Sequence, residues 1–167
     1  MSLQSFKPRP KLIVFDLDYT LWPFWVDTHV SPPFKMKGSK VVDSQGQEVK
    51  HYAEVPEVLR LLSAGGYLLG VASRTGEIAG ANQLLDLFGW DKYFQFKEIY
   101  PGRKVTHFTK IRKDSGVPFS EMVFFDDEAR NIRDLAEQGV VSVLVHNGVS
   151  KKVVEKGLKQ FSEGVKR

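Results

Sequence analysis

The chain has no cysteine among its 167 residues. That absence excludes a disulfide scaffold, a zinc–thiolate site and a cysteine nucleophile. Long apolar runs are missing too: none reaches the roughly 18–20 residues needed to cross a bilayer. Met1 to Pro10 is polar, carries Pro8 and Pro10, and lacks the apolar stretch of a secretory leader. No P-loop, G-x-G-x-x-G or G-x-S-x-G occurs, which removes the common nucleotide-binding motifs and the nucleophile elbow of serine hydrolases. The histidines, His29, His51, His107 and His146, show no metal-ligand spacing. Charge of one sign is not concentrated either, with 24 Lys+Arg against 20 Asp+Glu, a formal net charge of +4. The nearest approach to a basic run, Lys110, Arg112 and Lys113, reads as a solvated helix face rather than a nucleic-acid patch. These absences predict a cytoplasmic protein with neither nucleic acid nor membrane as partner. With no long exposed apolar element, a monomer is expected.

What is present is an ordinary globular composition, 42% hydrophobic and 26% charged, at the length of one domain, 1–167. Short apolar runs at residues 11–16, 67–72, 121–125 and 140–145, with a more polar one at 94–100, read as strands. Between them, residues 56–64, 75–88, 105–115, 128–138 and 150–162 carry helical apolar spacing, four of the five running into glycine. The alternation predicts an α/β fold with a mainly parallel five-stranded sheet, and such sheets bind ligands at the carboxyl ends of their strands. Residues 19–55 break the alternation. This insert holds Trp22-Pro23-Phe24-Trp25, Pro32-Pro33 and a hairpin-like stretch over 41–49, and it is too short for a second domain.

The strongest chemical signal is Asp16-Leu17-Asp18-Tyr19-Thr20 at the end of the first run. In extended chain Asp16 and Asp18 face one way and Leu17 the other. Two such carboxylates repel unless a cation holds them or one is protonated. An all-oxygen site suits Mg²⁺, and a carboxylate can itself attack phosphorus while a second acid protonates the leaving group. Asp126-Asp127 alone reads as a helix cap; at the same sheet edge as Asp16 and Asp18 it reads as metal-binding, with Asp127 favoured and Asp126 close behind. Ser73 ends a strand and serves either as an N-cap or, with nearby N–H groups, as a holder of a phosphate oxygen. Lys104 opens a helix, where a cation is unfavourable without an anion beside it; Lys97 and Lys110 compete for that role. Trp22, Phe24 and Trp25 form either an aromatic wall at the site or part of the core.

In order, Asp16-x-Asp18-x-Thr20, Ser73, Lys104 and Asp126-Asp127, each motif but the lysine closing an apolar run, resemble the haloacid dehalogenase (HAD) superfamily of phosphatases. The segments 15–25, 72–75 and 123–128 are similar to the eukaryotic magnesium-dependent phosphatase group. The resemblance implies a Rossmann-like three-layer sandwich of strand order 5-4-1-2-3 with a minimal cap. It further implies Asp16 as nucleophile and Mg²⁺ ligand, and Asp18 as general acid then base, binding Mg²⁺ through its backbone carbonyl. Leu17, Trp25, Ser73, Arg74 and Lys104 become the substrate- and phosphate-binding residues, and Asp127 or Asp126 completes the metal site. The activity implied is Mg²⁺-dependent phosphomonoester hydrolysis through an aspartyl-phosphate, on protein phosphotyrosine or on sugar phosphates attached to amines. The alternative is a phospho-ligand binding module on the same fold, without turnover.

Overall fold

Runs of apolar residues with no polar alternation need cover on both faces, and the fold supplies it. The structure, a computed structural model, describes residues 3–165. Strand β1 (Leu12–Phe15) is wholly buried. An insert sheet follows, made of β2 (Lys35–Lys37), β3 (Lys40–Val42) and β4 (Glu48–Val49). The chain then alternates through α1 (Val55–Ala64), β5 (Leu68–Ser73), α2 (Ile78–Leu87), β6 (Phe96–Ile99), α3 (Lys104–Ser115), β7 (Met122–Asp126), α4 (Ala129–Glu137), β8 (Val141–Leu144) and α5 (Lys151–Val165). The main sheet has the order β6-β5-β1-β7-β8 and all its pairs are parallel, as the resemblance implies.

Side-chain alternation divides the core in two. Ile13 and Phe15 of β1, with Val71, Val123 and Phe125, pack beneath α1, α2 and α5. Leu12 and Val14, with Ala72 and Phe124, pack against Phe108 and Ile111 of α3 and Leu135 of α4. Three layers result. Gly157 is where α5 comes closest: a Cβ there would meet the Phe125 ring at 2.6 Å, so only glycine lets the helix settle at this height. Helix α1 carries Pro56 in its first turn, where a missing N–H costs nothing, and turns Val55, Val58, Leu59 and Leu62 inward. Helix α3 stops at Gly116, which adopts the left-handed conformation at φ 72°.

The insert is more ordered than the sequence predicts. The expected hairpin over 41–49 is the β3–β4 pair, but Lys35–Lys37 adds an antiparallel third strand. Its turn is tied by the buried Asp43, whose carboxylate accepts N–H groups of Ser31 (3.0 Å), Gln45 (3.0 Å) and Gln47 (2.9 Å). Burial pushes the Asp43 carboxyl up, but these donors outweigh it and hold the group below the usual carboxylate range. Among the described residues no helix is long and apolar enough to cross a membrane.

Candidate active site

Three neighbouring strands bring their ends together. Phe15 pairs with Val71 on one side and Phe125 on the other, so the next residue, Asp16, lies between the ends of β5 and β7. The Asp16 N–H donates to the Phe125 carbonyl at 3.0 Å, extending the ladder to the first carboxylate. Ser73 closes β5 and Asp126 closes β7.

Lys104 joins these strands from α3. A cation on the first residue of a helix opposes the helix dipole, and this one is only 1% exposed, so it requires anions. Its ammonium donates to Asp16 Oδ1 at 2.7 Å and to Asp126 Oδ2 at 2.6 Å. Burial disfavours the charge, yet the two carboxylates outweigh burial and raise the Lys104 pKa. Asp16 Oδ2 accepts the Thr20 hydroxyl at 3.0 Å. Asp126 is also fully engaged: Oδ1 accepts the Glu128 N–H at 2.9 Å, and Oδ2 the Asn131 amide at 3.0 Å. The competing lysines are spent elsewhere, Lys97 on Asp91 and Lys110 on Asp114.

One ammonium does not neutralise this cluster. Single carboxylate oxygens of Asp16, Asp126 and Asp127 lie within 4.8 Å of one another. Burial, reinforced by the Asp16 charge, pushes Asp126 up despite Lys104. Burial, then hydrogen bonding and charge from Asp16, push Asp127 up to about 9. Carboxylates crowded this closely could hold a hard divalent cation, and an all-oxygen donor set of this size fits Mg²⁺.

Asp18 stands apart, since its carboxylate does not belong to that three-oxygen cluster. Its Oδ1 accepts the Trp22 indole N–H at 2.7 Å and the Val26 N–H at 3.1 Å. Burial is the largest influence and, with repulsion from Asp16, raises its pKa to about 6 against the pull of both donors. The chain reverses at once after it, Tyr19 taking φ 59° and Thr20 and Leu21 donating to the Leu17 carbonyl at 3.0 and 2.8 Å. The Leu17 side chain is fully buried, so any contact it makes with a phosphate runs through its main chain.

Asp16, Asp18, Trp25, Ser73, Arg74 and Lys104 line one open cleft of about 250 Å³. Ser73 differs from its expected setting. The helix begins at Ile78 rather than Thr75, because two side-chain turns intervene: the Thr75 N–H donates to Ser73 Oγ (3.2 Å) and the Glu77 N–H to Thr75 Oγ1 (3.1 Å). Ser73 is therefore not a helix cap. Beside it the Arg74 Nε is buried and has no hydrogen-bond partner among the described residues, so its donor is free to take a ligand. The aromatic trio also separates. Trp22 and Phe24 are core, Trp22 stacking on Phe24 (5.6 Å) and Trp90 (6.5 Å), whereas Trp25 is 49% exposed on the cleft wall. Thr28, Thr75 and Asn131 join the lining without having been anticipated. Asn131 alone left a trace in the sequence, as a polar residue one turn into an amphipathic helix that follows Asp126.

The acid phosphatase family profile matches residues 8–164. Human magnesium-dependent phosphatase 1 is 54% identical over 155 residues, covering 92% of this chain and 88% of the human protein. A HAD-like hydrolase superfamily protein of Schizosaccharomyces pombe is 41% identical over 143 residues, 78% of this chain and 83% of that one. Solved structures share the fold at low identity. The phosphatase domain in the N-terminal part of a Bacteroides fragilis protein, complexed with Mg, gives a TM-score of 0.63 at 16% identity, covering 93% of this chain and 40% of that chain. The cobalt-bound deoxy-D-mannose-octulosonate 8-phosphate phosphatase of Haemophilus influenzae gives 0.58 at 16% identity, covering 93% and 90%. A profile match along nearly the whole chain and a relative identical at more than half its positions agree with the strand order and the carboxylate cluster: the chain belongs to the acid phosphatase family of the HAD superfamily.

Proposed function

We propose that this protein is a Mg²⁺-dependent phosphomonoester hydrolase working through an aspartyl-phosphate on Asp16. The observation that carries the reading is the setting of that carboxylate, aimed by Lys104 and Thr20 at the floor of an open cleft, with a second acid raised to about 6 two residues away. An Asp16 oxygen attacks phosphorus and the ester P–O bond breaks, while Asp18 gives its proton to the departing oxygen. Water then attacks the phosphorus of the acyl phosphate, passing a proton to Asp18, and the bond to Asp16 breaks to release inorganic phosphate. Lys104, Ser73 and Arg74 bind the phosphoryl oxygens, whose charge spreads in the transition state. Asp16, the Asp18 main-chain carbonyl and Asp127 would hold Mg²⁺, which when bound stabilises that charge and relieves the carboxylate crowding. Asp127 is preferred as direct ligand because it is only half-buried, whereas Asp126 is wholly buried and holds Lys104, Asn131 and the Glu128 N–H.

The openness of the cleft and the exposed Trp25 support bulky substrates, protein phosphotyrosine or a sugar phosphate attached to an amine of the fructosamine-6-phosphate kind. The cysteine-free composition supports a cytoplasmic setting, and we infer a monomer. The test is hydrolysis of p-nitrophenyl phosphate by wild type and Asp16→Asn, each with Mg²⁺ and with EDTA. Activity is expected only for wild type with Mg²⁺. A folded wild type that binds phosphate yet turns nothing over would make the protein a binding module instead.

A further inference from the structure

The cleft wall has a support that the phosphoryl chemistry does not use. The Trp25 indole lies face to face with the imidazole of His29, ring centroids 5.2 Å apart and planes 15° from parallel. Tyr19 sets its ring edge against both, at 5.8 Å from Trp25 and 6.2 Å from His29, each near perpendicular. The two stacked residues are also closed by a reciprocal pair of hydrogen bonds. The His29 N–H donates to the Trp25 carbonyl at 2.9 Å, and the Trp25 N–H donates back to His29 Nδ1 at 2.9 Å. That return bond uses the ring's Nδ1 as an acceptor.

An exposed tryptophan on a loop ordinarily samples several rotamers, and ordering one on binding costs affinity. Here the backbone on both sides of Trp25 is already fixed, since the next N–H, that of Val26, is held by Asp18. His29 and Thr28 are exposed, so the imidazole is not there to fill a core. Among the described residues its hydrogen bonds and stacking contacts are with Trp25 and Tyr19 alone. We infer that His29, backed by Tyr19, is a positioning residue that holds the Trp25 indole as a rigid stacking wall and so sets the preference for a planar aromatic group on the phosphate. This rests on the phosphate end of the substrate occupying the Asp16–Lys104 floor, as proposed above. It does not require turnover.

The probes are phenylphosphonate and methylphosphonate, neither of which is hydrolysed, titrated calorimetrically into the full chain with Mg²⁺. Wild type binds the phenyl compound roughly three- to tenfold more tightly, the worth of one aromatic pair. Trp25→Ala abolishes that ratio, the loss falling mainly on the phenyl compound. His29→Ala lowers the ratio most of the way, and the double variant loses no more than Trp25→Ala alone, because His29 acts through Trp25. His29→Asn, which keeps an acceptor close to the Nδ1 position, recovers part of the preference. The inference is overturned if His29→Ala keeps the wild-type ratio, if His29→Ala and His29→Asn both weaken the two probes equally, or if the losses from Trp25 and His29 add. Failure of wild type to bind either phosphonate overturns it together with the phosphate site. Normal phosphonate preference in a protein inert toward p-nitrophenyl phosphate leaves the inference standing and removes only the catalytic reading.

Discussion

The floor and the wall of the cleft are built by opposite means. The floor is buried and over-determined: Lys104, Asp16, Asp126, Thr20 and Asn131 fix one another through charge-assisted contacts between 2.6 and 3.0 Å, on strands locked in register. The wall is exposed and rests on ring stacking and a few turn hydrogen bonds, on an insert joined to the sheet mainly through its apolar residues. Buried ionic contacts are worth several kcal/mol when one partner is removed, whereas exposed aromatic contacts are worth about one. The carboxylate–lysine floor is thus held where change is costly, and the aromatic wall where change is cheap.

Removing the floor's ammonium is the sharpest way to break that contrast. Lys104→Met strands two buried carboxylates. Metal-free stability should fall by about 3–5 kcal/mol, read by urea unfolding, and kcat on p-nitrophenyl phosphate with Mg²⁺ by about 10²–10³. Wild-type stability within experimental error would mean that the floor is no firmer than the wall.

Acidity probes the floor next. Asp18, Asp126 and Asp127 all bind protons more tightly in the folded protein than in the unfolded chain. Between the unfolded and folded pKa values the native state therefore carries the extra protons, so stability falls as pH rises. For Asp18 that window runs from about 4 to about 6, and for Asp127 it extends to about 9. Calorimetry of the EDTA-treated protein should show Tm rising by several degrees from pH 7.5 to pH 5.5, at about 2–4 °C per kcal/mol. Mg²⁺ should raise Tm more at pH 7.5, where it competes with fewer protons. A metal-free Tm that falls on acidification would contradict the crowding described here.

Asp43 gives the mildest and most local test. Asp43→Ala removes the shared acceptor of three insert N–H groups and should cost about 1–3 kcal/mol, while leaving methylphosphonate affinity unchanged. A loss of phosphate affinity in that variant would show that wall and floor are coupled.

Where the sequence was transparent, physics left little choice. β1, β5 and β7 lie inside a sheet covered on both faces, so Leu-Ile-Val-Phe or Met-Val-Phe-Phe has no alternation to confuse it, and an Asp closing such a run stands out. β6 is an edge strand, half-buried, and its Phe-Lys-Glu-Ile is correspondingly fainter. β2 was illegible because Lys-Met-Lys is exposed at every position and carries no pattern. The start of α2 was misplaced because Ser73 and Thr75 spend their side chains on turns that composition cannot distinguish from caps. The separation of Trp22 from Trp25 was equally hidden. Both are tryptophans three residues apart, and only the reversal at Tyr19 sends one indole N–H to Asp18 and leaves the other ring in solvent.

The Lys104 ammonium also bears on the order in which the molecule is assembled. A nest of carboxylates that depended on metal alone would tie folding to metal supply, as in small zinc domains that collapse when chelated. Here a cation encoded in the chain, Lys104 of α3, bridges two of the carboxylates without any metal. Refolding from denaturant should need no magnesium. Magnesium would then join a finished scaffold, and a pool of protein starved of the ion would persist intact.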